Sequence, residues 1–355
     1  MIRVALVGAG GMARHYRGVY ARLPQVRWVL AVDVNAQELA ACKELGVART
    51  STRFEDALAD DIDMVDISTP NHLHEPQAVA ALKAGKHVLL QKPMANTLEA
   101  ADRILDAAAT SRGTLGMFMS SYGNPAVWSI RRMIQSGALG QIQSVRARDA
   151  HRGGYFAEKG QDKWRSSRQK TGGGSFIQLS IHAVNLLQWW LDSRIGEVSA
   201  YCDNRFCPNI GGDDVTVAIA RFDCGVLGTL DSGYASDGQS REVYGTAGHV
   251  RLLDGDAILQ ICLDEPYEDD LIRYTTPGEP AQFTMVRRRH DDVQNPYNQH
   301  RCFIEALEEG RPPHMSGEAG RQDLAVIMAA YESAERGGTV RVRARAATRP
   351  AAAPA

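Results

Sequence analysis

Residues 2–13 read Ile2-Arg3-Val4-Ala5-Leu6-Val7-Gly8-Ala9-Gly10-Gly11-Met12-Ala13, and the fold turns on how this stretch is read. The apolar, β-branched run predicts a buried strand, the glycines a tight turn, and Met12-Ala13 the opening of a helix. Gly8 lets the chain turn, Gly10 lets a pyrophosphate approach the backbone, and Ala13 is small enough for the helix to pack on the strand. Backbone N–H groups and the positive end of the helix dipole, at Gly11 and Met12, would then face phosphates. Taken alone, such a turn is a common strand–helix connection. Here a second β-rich run, Val26 to Val32, ends in Asp33, twenty residues after Ala13. That is the distance at which an acid reaches the adenosine ribose hydroxyls. Asp33 could instead simply cap the next helix, but strand, turn, helix and acid in this order favour a dinucleotide. Its charge opposes a ribose 2′-phosphate, and Val34-Asn35 bring no arginine, so NAD is favoured over NADP.

The alternation continues to about residue 120. Met64–Ser68, His87–Leu90 and Leu115–Met119 are strand candidates, with helical stretches at Glu75–Ala84 and Leu98–Ala109 between them. This is the pattern of a doubly wound parallel sheet, whose ligands bind beyond the carboxyl ends of the strands. Two such ends carry polar groups. Met64–Ser68 runs into Thr69-Pro70-Asn71-His72-Leu73-His74, read as a loop over the nicotinamide half of the cofactor, although Thr, Pro and Asn also make ordinary turns. His87–Leu90 runs into Gln91-Lys92-Pro93, where a lysine held extended before proline can point its amine into the crevice.

Beyond Met119 the pattern changes. Asn124–Gln135 reads as a helix and Val145–Ala150 as a strand, followed by a charged, aromatic, glycine-rich stretch. Gly172-Gly173-Gly174 then opens an apolar helix, Phe176–Leu191, on which Gln178 and His182 lie four apart on one face and Asn185 three further on. A lone histidine there would be an ordinary core residue; the polar stripe predicts a lined cavity. Glu197 to about Tyr274 reads as an antiparallel sheet, 276–294 as a loop, and Asn298–Glu308 and Gly317–Arg336 as helices.

With 355 residues the chain can bury two cores; 40 basic against 42 acidic residues leave a net charge of −2, which marks neither a nucleic-acid nor a membrane partner. No run is long enough to span a membrane. The chain opens on its first strand, so no secretory leader is expected. The six cysteines are scattered without metal-type pairing, which fits free thiols in a reducing cytoplasm and no metal site.

The sequence resembles the glucose–fructose oxidoreductase, inositol dehydrogenase and rhizopine-catabolism family (Gfo/Idh/MocA) from residue 2 to about 343. The resemblance rests on Gly8–Ala13, Thr69–His74, Gln91-Lys92-Pro93, Gly172-Gly173-Gly174 leading to His182, and Phe303-Ile304-Glu305-Ala306-Leu307 followed by Arg311-Pro312-Pro313. It implies an α/β protein: an N-terminal Rossmann domain over residues 1–122 and a C-terminal α+β domain over 123–343 built on a large open, mostly antiparallel sheet. Residues 344–355 are expected as a disordered tail. It also implies oxidation of a sugar or cyclitol secondary alcohol, or reduction of the matching ketone, and a homodimer or homotetramer formed through the open sheet. Lys92 matches the family's Glu-Lys-Pro lysine and His182 its active-site histidine. Trp164-Arg165 matches the pair that contacts the cofactor. Two positions depart from the pattern: Gln91 replaces the motif's glutamate, and Gln178 replaces an aspartate that supports the histidine.

Hydride leaves a C–H bond only as the neighbouring hydroxyl proton is removed, so a base must sit beside the nicotinamide. His182 is assigned that role and Lys92 polarises the oxygen; the two could be exchanged. Tyr122, Asn124, Arg152, Trp164, Gln178, His182, Asn185 and Tyr297 are candidate substrate-lining residues, with ordinary interdomain packing the alternative for about half of them. Cofactor contacts are expected from the glycine turn, Asp33, Thr69, Pro70, Asn71, His74, Gln91, Lys92, Pro93, Trp164 and Arg165. Two other functions stay open: glycoside cleavage with transient sugar oxidation on a retained NAD, and a non-catalytic NAD-binding regulator.

Overall fold

The computed structural model describes residues 1–152, 164–255, 257–285 and 289–345. Strands β1 (Ile2–Val7), β2 (Val26–Val32), β3 (Arg49–Ser51), β4 (Met64–Ile67), β5 (His87–Gln91) and β6 (Leu115–Phe118) form one sheet in the order β3-β2-β1-β4-β5-β6. Every neighbouring pair is parallel. All four residues of β4 and of β6 are buried, as expected of strands covered on both faces by helices α1 (Ala36–Glu44), α2 (Asn71–Lys83) and α3 (Leu98–Thr110). The chain reverses its direction of strand placement between β1 and β4, which opens a crevice at their carboxyl ends.

Caps set the helix starts. Asn35 accepts from Gln37 N at 2.9 Å, Thr97 from Ala100 N, and Asn124 from Ala126 N at the head of α4 (Pro125–Gln135), where Pro125 takes the first turn. After the glycine turn the chain forms only two short 3₁₀ turns, Gly11–His15 and Arg17–Val19, not the α-helix the motif predicts. Arg14 and Arg17 both reach Glu38 on α1, and Tyr16 is buried with its hydroxyl on Ser68. These anchors hold the segment tighter than an α-helix. Thr69–His74 also differs from the expected loop: Pro70, its φ fixed near the helical value, heads α2, so Asn71–His74 is its first turn.

The second sheet holds β7 (Ile142–Ala150), β8 (Ile195–Asp203), β9 (Val215–Phe222), β10 (Leu227–Gly233), β11 (Gly238–Gly245), β12 (Gly248–Leu253) and β13 (Ile258–Leu263). A small hairpin, β14 (Tyr267–Glu268) with β15 (Arg273–Tyr274), stands apart, and β16 (Ala281–Thr284) and β17 (Val340–Arg341) close the edges. The order is β16-β13-β12-β11-β7-β10-β9-β8-β17. Only β7 and β10 run parallel; the other neighbours are antiparallel. β16 lies inside the stretch expected as a loop. Four residues with alternate exposure make an edge strand too short to read from periodicity.

One face of this sheet is covered by a π turn, Phe176–Ser180, that leads into α5 (Ile181–Leu191), and by α7 (Gly317–Arg336). The other face alternates outward, with Tyr201, Val217, Ile219 and Leu227 exposed. Between α5 and α7 in the sequence, α6 (Gln299–Glu308) crosses back: its Phe303 and Ile304 pack with Tyr16, Val19 and Phe118 of the first sheet's core. Residues 346–355 of the expected tail, and 153–163 of the charged stretch before the glycines, lie outside the described residues.

The three glycines have a packing reason. A Cβ on Gly174 would lie 1.9 Å from the Asp213 carbonyl oxygen, and one on Gly173 2.2 Å from the Tyr331 hydroxyl. Close approach lets the buried Asp213 carboxylate accept from Gly174 N and Phe176 N at 2.9 Å and from Ser175 Oγ, Thr216 Oγ1 and Tyr331 Oη at 2.8 Å. A carboxylate at a helix start answers donors that the helix leaves unpaired. Asp213→Ala strands several buried donors, each hydrogen bond to a charged group being worth about 1.5–3 kcal/mol. The expected result is a loss of at least about 3 kcal/mol of stability, read as a lowered urea midpoint. A midpoint within experimental scatter of the native enzyme would show that this anchor carries no load.

Candidate active site

The glycine turn and the strand ends after β4 and β5 form one rim. Gly8 has φ +87°, and a Cβ on it would lie 2.7 Å from the Ser68 carbonyl carbon, so only glycine lets β1 pass this close to the next strand end. Gly11 has φ +46°. A Cβ built on Gly10 would make no more than ordinary contact, 3.6 Å from Glu38 and 3.8 Å from Asp33, so the space beside it admits a ligand group. Asp33 is wired into the turn: Oδ2 accepts from Ala9 N at 2.8 Å and Gly10 N at 3.1 Å, and Oδ1 from Asn35 N at 2.8 Å. From the far side of the chain, Arg165 brings its guanidinium within 3.9 Å of where a Gly11 Cβ would stand, and stacks 4.6 Å from the Trp164 ring centroid. A bare glycine cradle, a carboxylate beside it and an arginine over it fit a dinucleotide: phosphates against Gly10, Gly11 and Arg165, ribose hydroxyls against Asp33. Met12 is half-buried and Ala13 fully buried beneath the turn.

Lys92 follows β5 and donates from Nζ to the Gln178 carbonyl oxygen at 2.6 Å. That bond ties the first sheet's rim to the π turn over the second sheet. Removal from water and the nearby Arg165 cation lower Lys92 to about 8, while the Asp149 carboxylate opposes the shift. His182, at the start of α5, places Nδ1 3.3 Å from Ser121 Oγ, on the turn after β6. Desolvation holds it well below its ordinary range, and the Lys92 and Arg241 cations, with His290, push the same way. Lys92 is thus among the cations that act on His182. Gln178 does not pair with His182: the i→i+5 turn alters the spacing, and its amide nitrogen is buried without a hydrogen bond among the described residues.

Several predicted contacts are occupied by the scaffold instead. His74 is buried, its ring bridging Thr69 O and Pro93 O at 2.8 Å each, so it locks the two strand-end loops together. Thr69 Oγ1 donates to Gln77, and Asn71 Nδ2 donates to Thr171 O at 2.8 Å. Pro70 heads a helix, and Pro93, joined to Lys92 by a cis peptide, is buried. Gln91 accepts from the Lys92 backbone N–H at 3.0 Å and lies by Tyr16; it belongs to the base of the rim. Among the substrate candidates, Asn124 caps α4, and Asn185 donates to Asp323 at 2.7 Å. Tyr122 is fully buried, edge-on to Trp189 and His314, and Tyr297 stacks on Trp128 with ring centroids 4.8 Å apart. Arg152 is exposed and paired with Asp237. Asn124 and Arg152 are thus engaged through a cap and an ion pair, Asn185 through a hydrogen bond, and the two tyrosines through ring contacts.

Other residues enter the site without a sequence signal. Ser121 reaches His182. Glu38 binds Arg14 and Arg17 beside Gly10. Asp149 and Arg241, on β7 and β11, form a buried ion pair, and Arg241 also donates to Arg148 O at 3.0 Å and Ser240 O at 2.8 Å. The inward direction of a strand side chain was readable from alternation; which inward charges pair was not.

An oxidoreductase with a dinucleotide cleft is the class this geometry defines, and comparison agrees. An oxidoreductase family with an NAD-binding Rossmann fold matches residues 2–118, and the GFO/IDH/MocA C-terminal domain matches 127–251. The chain belongs to the Gfo/Idh/MocA family and is an NAD-dependent oxidoreductase. It is 27% identical over 348 residues to a 1,5-anhydro-D-fructose reductase of Ensifer adhaerens, covering 95% of this chain and 97% of that one. It is 24% identical over 352 residues to a myo-inositol 2-dehydrogenase of Thermotoga maritima, covering 96% and 98%. In structure it resembles a levoglucosan dehydrogenase in complex with NADH and levoglucosan, with TM-score 0.83, 22% identity and coverage of 96% and 99%; that likeness is one of fold.

Asp33 carries the charge that would oppose a ribose 2′-phosphate, since Glu38 is already neutralised by Arg14 and Arg17. NAD is therefore expected to exceed NADP in kcat/KM by at least roughly tenfold, equivalent to about 1.4 kcal/mol. Steady-state kinetics with the two cofactors measure it; equal efficiencies would place Asp33 away from the ribose.

Proposed function

We propose that the enzyme moves a hydride between a sugar, cyclitol or sugar-derived secondary alcohol and nicotinamide, with Lys92 as the proton-transferring group and His182 as its neutral partner. One observation carries this division: Lys92 stands near 8, within reach of neutral pH, whereas His182 sits among cations that oppose its protonation. The nicotinamide, when bound, supplies a two-electron hydride acceptor or donor. Lys92 Nζ takes the hydroxyl proton as the adjacent C–H bond is given up, and returns it when a ketone is reduced. His182, oriented by Ser121, accepts or donates a hydrogen bond to the same oxygen without taking charge. Gln178, with its unengaged amide, offers a hydrogen-bonding group for a neighbouring hydroxyl, and Trp164 a stacking face; both suit a polyhydroxylated ligand. Kinship with anhydrosugar and inositol enzymes supports the same substrate class. Free release of the reduced cofactor separates this reading from glycoside cleavage: NADH accumulates with sugars or cyclitols, and stays bound in a lyase-type cycle. Retention of Lys92 in a polar pocket supports catalysis over regulation.

The outer sheet face supports a homo-oligomer. Tyr201, Val217, Ile219 and Leu227 form an exposed apolar row on β8, β9 and β10, one that a second copy of the chain would cover. No helix among the described residues is long and apolar enough to cross a membrane.

Two outcomes test the reading. For alcohol oxidation, which needs neutral Lys92, kcat/KM should rise with pH through about 8 and level off above it; ketone reduction should fall through the same range. Lys92→Met should fold, bind NADH and turn over at least roughly a hundredfold more slowly, the scale of a positioned acid–base group. Near-native turnover in that variant would remove Lys92 from the chemistry. Ile219→Glu should dissociate the assembly in sedimentation velocity; an unchanged mass would place the interface elsewhere.

A further inference from the structure

The second sheet presents its polar residues to the π turn on one face. Ser232 on β10 pairs in register with Asp149 on β7, and Ser232 Oγ lies 2.8 Å from Ser175 Oγ at the head of that turn. Arg241 on β11 pairs with Ala147, two residues before Asp149, so the Arg241 and Asp149 side chains emerge on the same buried face. Their ion pair is almost wholly buried, with side-chain exposures of 5% and 4%. Arg241 is held further by the Arg148 and Ser240 carbonyls. The Gln178 carbonyl that receives Lys92 and the helix turn that carries His182 lie directly above this face. A buried ion pair is a weak source of stability, and apolar residues of equal volume often serve better. Its retention under an active site calls for another use.

We propose that the buried Asp149–Arg241 pair tunes the charge of the active site, its carboxylate acting on Lys92 and its guanidinium on His182, in addition to the burial of both groups. This rests on the reading of Lys92 and His182 as the reacting pair. The family's aspartate before the histidine is Gln178 here, which brings no charge to that helix. A negative group nonetheless reaches the pocket from the sheet below. Among the described residues, the charges that act on Lys92 are Asp149 on β7 and Arg165 on the segment before the glycines. Those that face His182 are Lys92 at the end of β5, Arg241 on β11 and His290 on the segment before α6. Asp149 favours the protonated lysine and Arg241 disfavours the protonated histidine. The pair therefore holds the two titrations apart, so that one group carries the proton and the other stays neutral. Both are positioning residues: they act through Lys92 and His182.

The pair is tested by neutralising it. In Asp149→Asn the Lys92 limb of the kcat/KM–pH profile should fall by roughly one unit, and in Arg241→Gln the His182 titration, followed by ¹⁵N imidazole NMR, should rise by a similar amount. The double variant removes the pair without stranding a buried charge and should show both shifts. Arg241→Lys retains a cation and should leave His182 titrating as in the native enzyme. A double variant that binds NADH yet shows neither shift overturns the proposal; so does an Arg241→Lys enzyme whose His182 returns to its ordinary range. A Lys92→Met enzyme that keeps the limb would instead overturn the assignment of Lys92. The NMR titration of His182 does not depend on turnover, so the two failures are separable.

Discussion

One contact joins the two halves of the active site: the Lys92 amine on the Gln178 carbonyl oxygen, 2.6 Å away. Lys92 comes from a parallel strand end and Gln178 from a helix start on an antiparallel sheet, so neither fold alone builds the pocket. The donor is held on one side because His74 locks the loops after β4 and β5 to each other. The acceptor is held on the other because Asp213 and Tyr331 fix the start of the π turn. An ammonium that loses water can keep its charge only where carbonyls or carboxylates replace the lost hydration. The carbonyl supplies part of that replacement, and what it does not supply appears as the lowered titration of Lys92.

The same economy governs the glycines. Gly8, Gly173 and Gly174 are each placed where a methyl group would collide with backbone or with a tyrosine hydroxyl. Their absence of side chain brings β1 against the end of β4, and the helix start against Asp213. The first approach shapes the cofactor rim; the second aims Gln178 and His182. Small residues far apart in the sequence therefore set the distance between cofactor and acid–base groups.

The parallel sheet was legible because β1, β4 and β6 are continuous apolar runs and Asp33 falls at a diagnostic distance. Lys92 and His182 were legible as candidates because motifs name them, and Lys92 bonds the turn that leads into the helix of His182. The lining residues were less so. Asn124, Asn185, Tyr122 and Tyr297 are polar or aromatic in the right region of the chain, but a cap, a buried acid and ring contacts claim them, and those partners lie 2 to 169 residues away. The π turn was invisible because apolar spacing over five residues does not tell i→i+4 from i→i+5 bonding. Asp213 and the Asp149–Arg241 pair were invisible for a related reason: alternation shows which side chains point inward, and pairing across strands needs the register.

Exchange of a carboxylate for Gln178 illustrates how charge can be moved without being lost. A carboxylate on the helix would lie beside the histidine and stabilise its protonated form, which fits a histidine that carries the proton. With an amide there, and with Arg241 below, protonation of His182 is opposed from the helix outward and from the sheet inward. Asp149 acts the other way on Lys92, favouring its charged form against burial and the Arg165 cation, which together lower it. On the proposed division of roles, the negative charge lies on the sheet rather than on the helix, and Lys92 rather than His182 carries the proton.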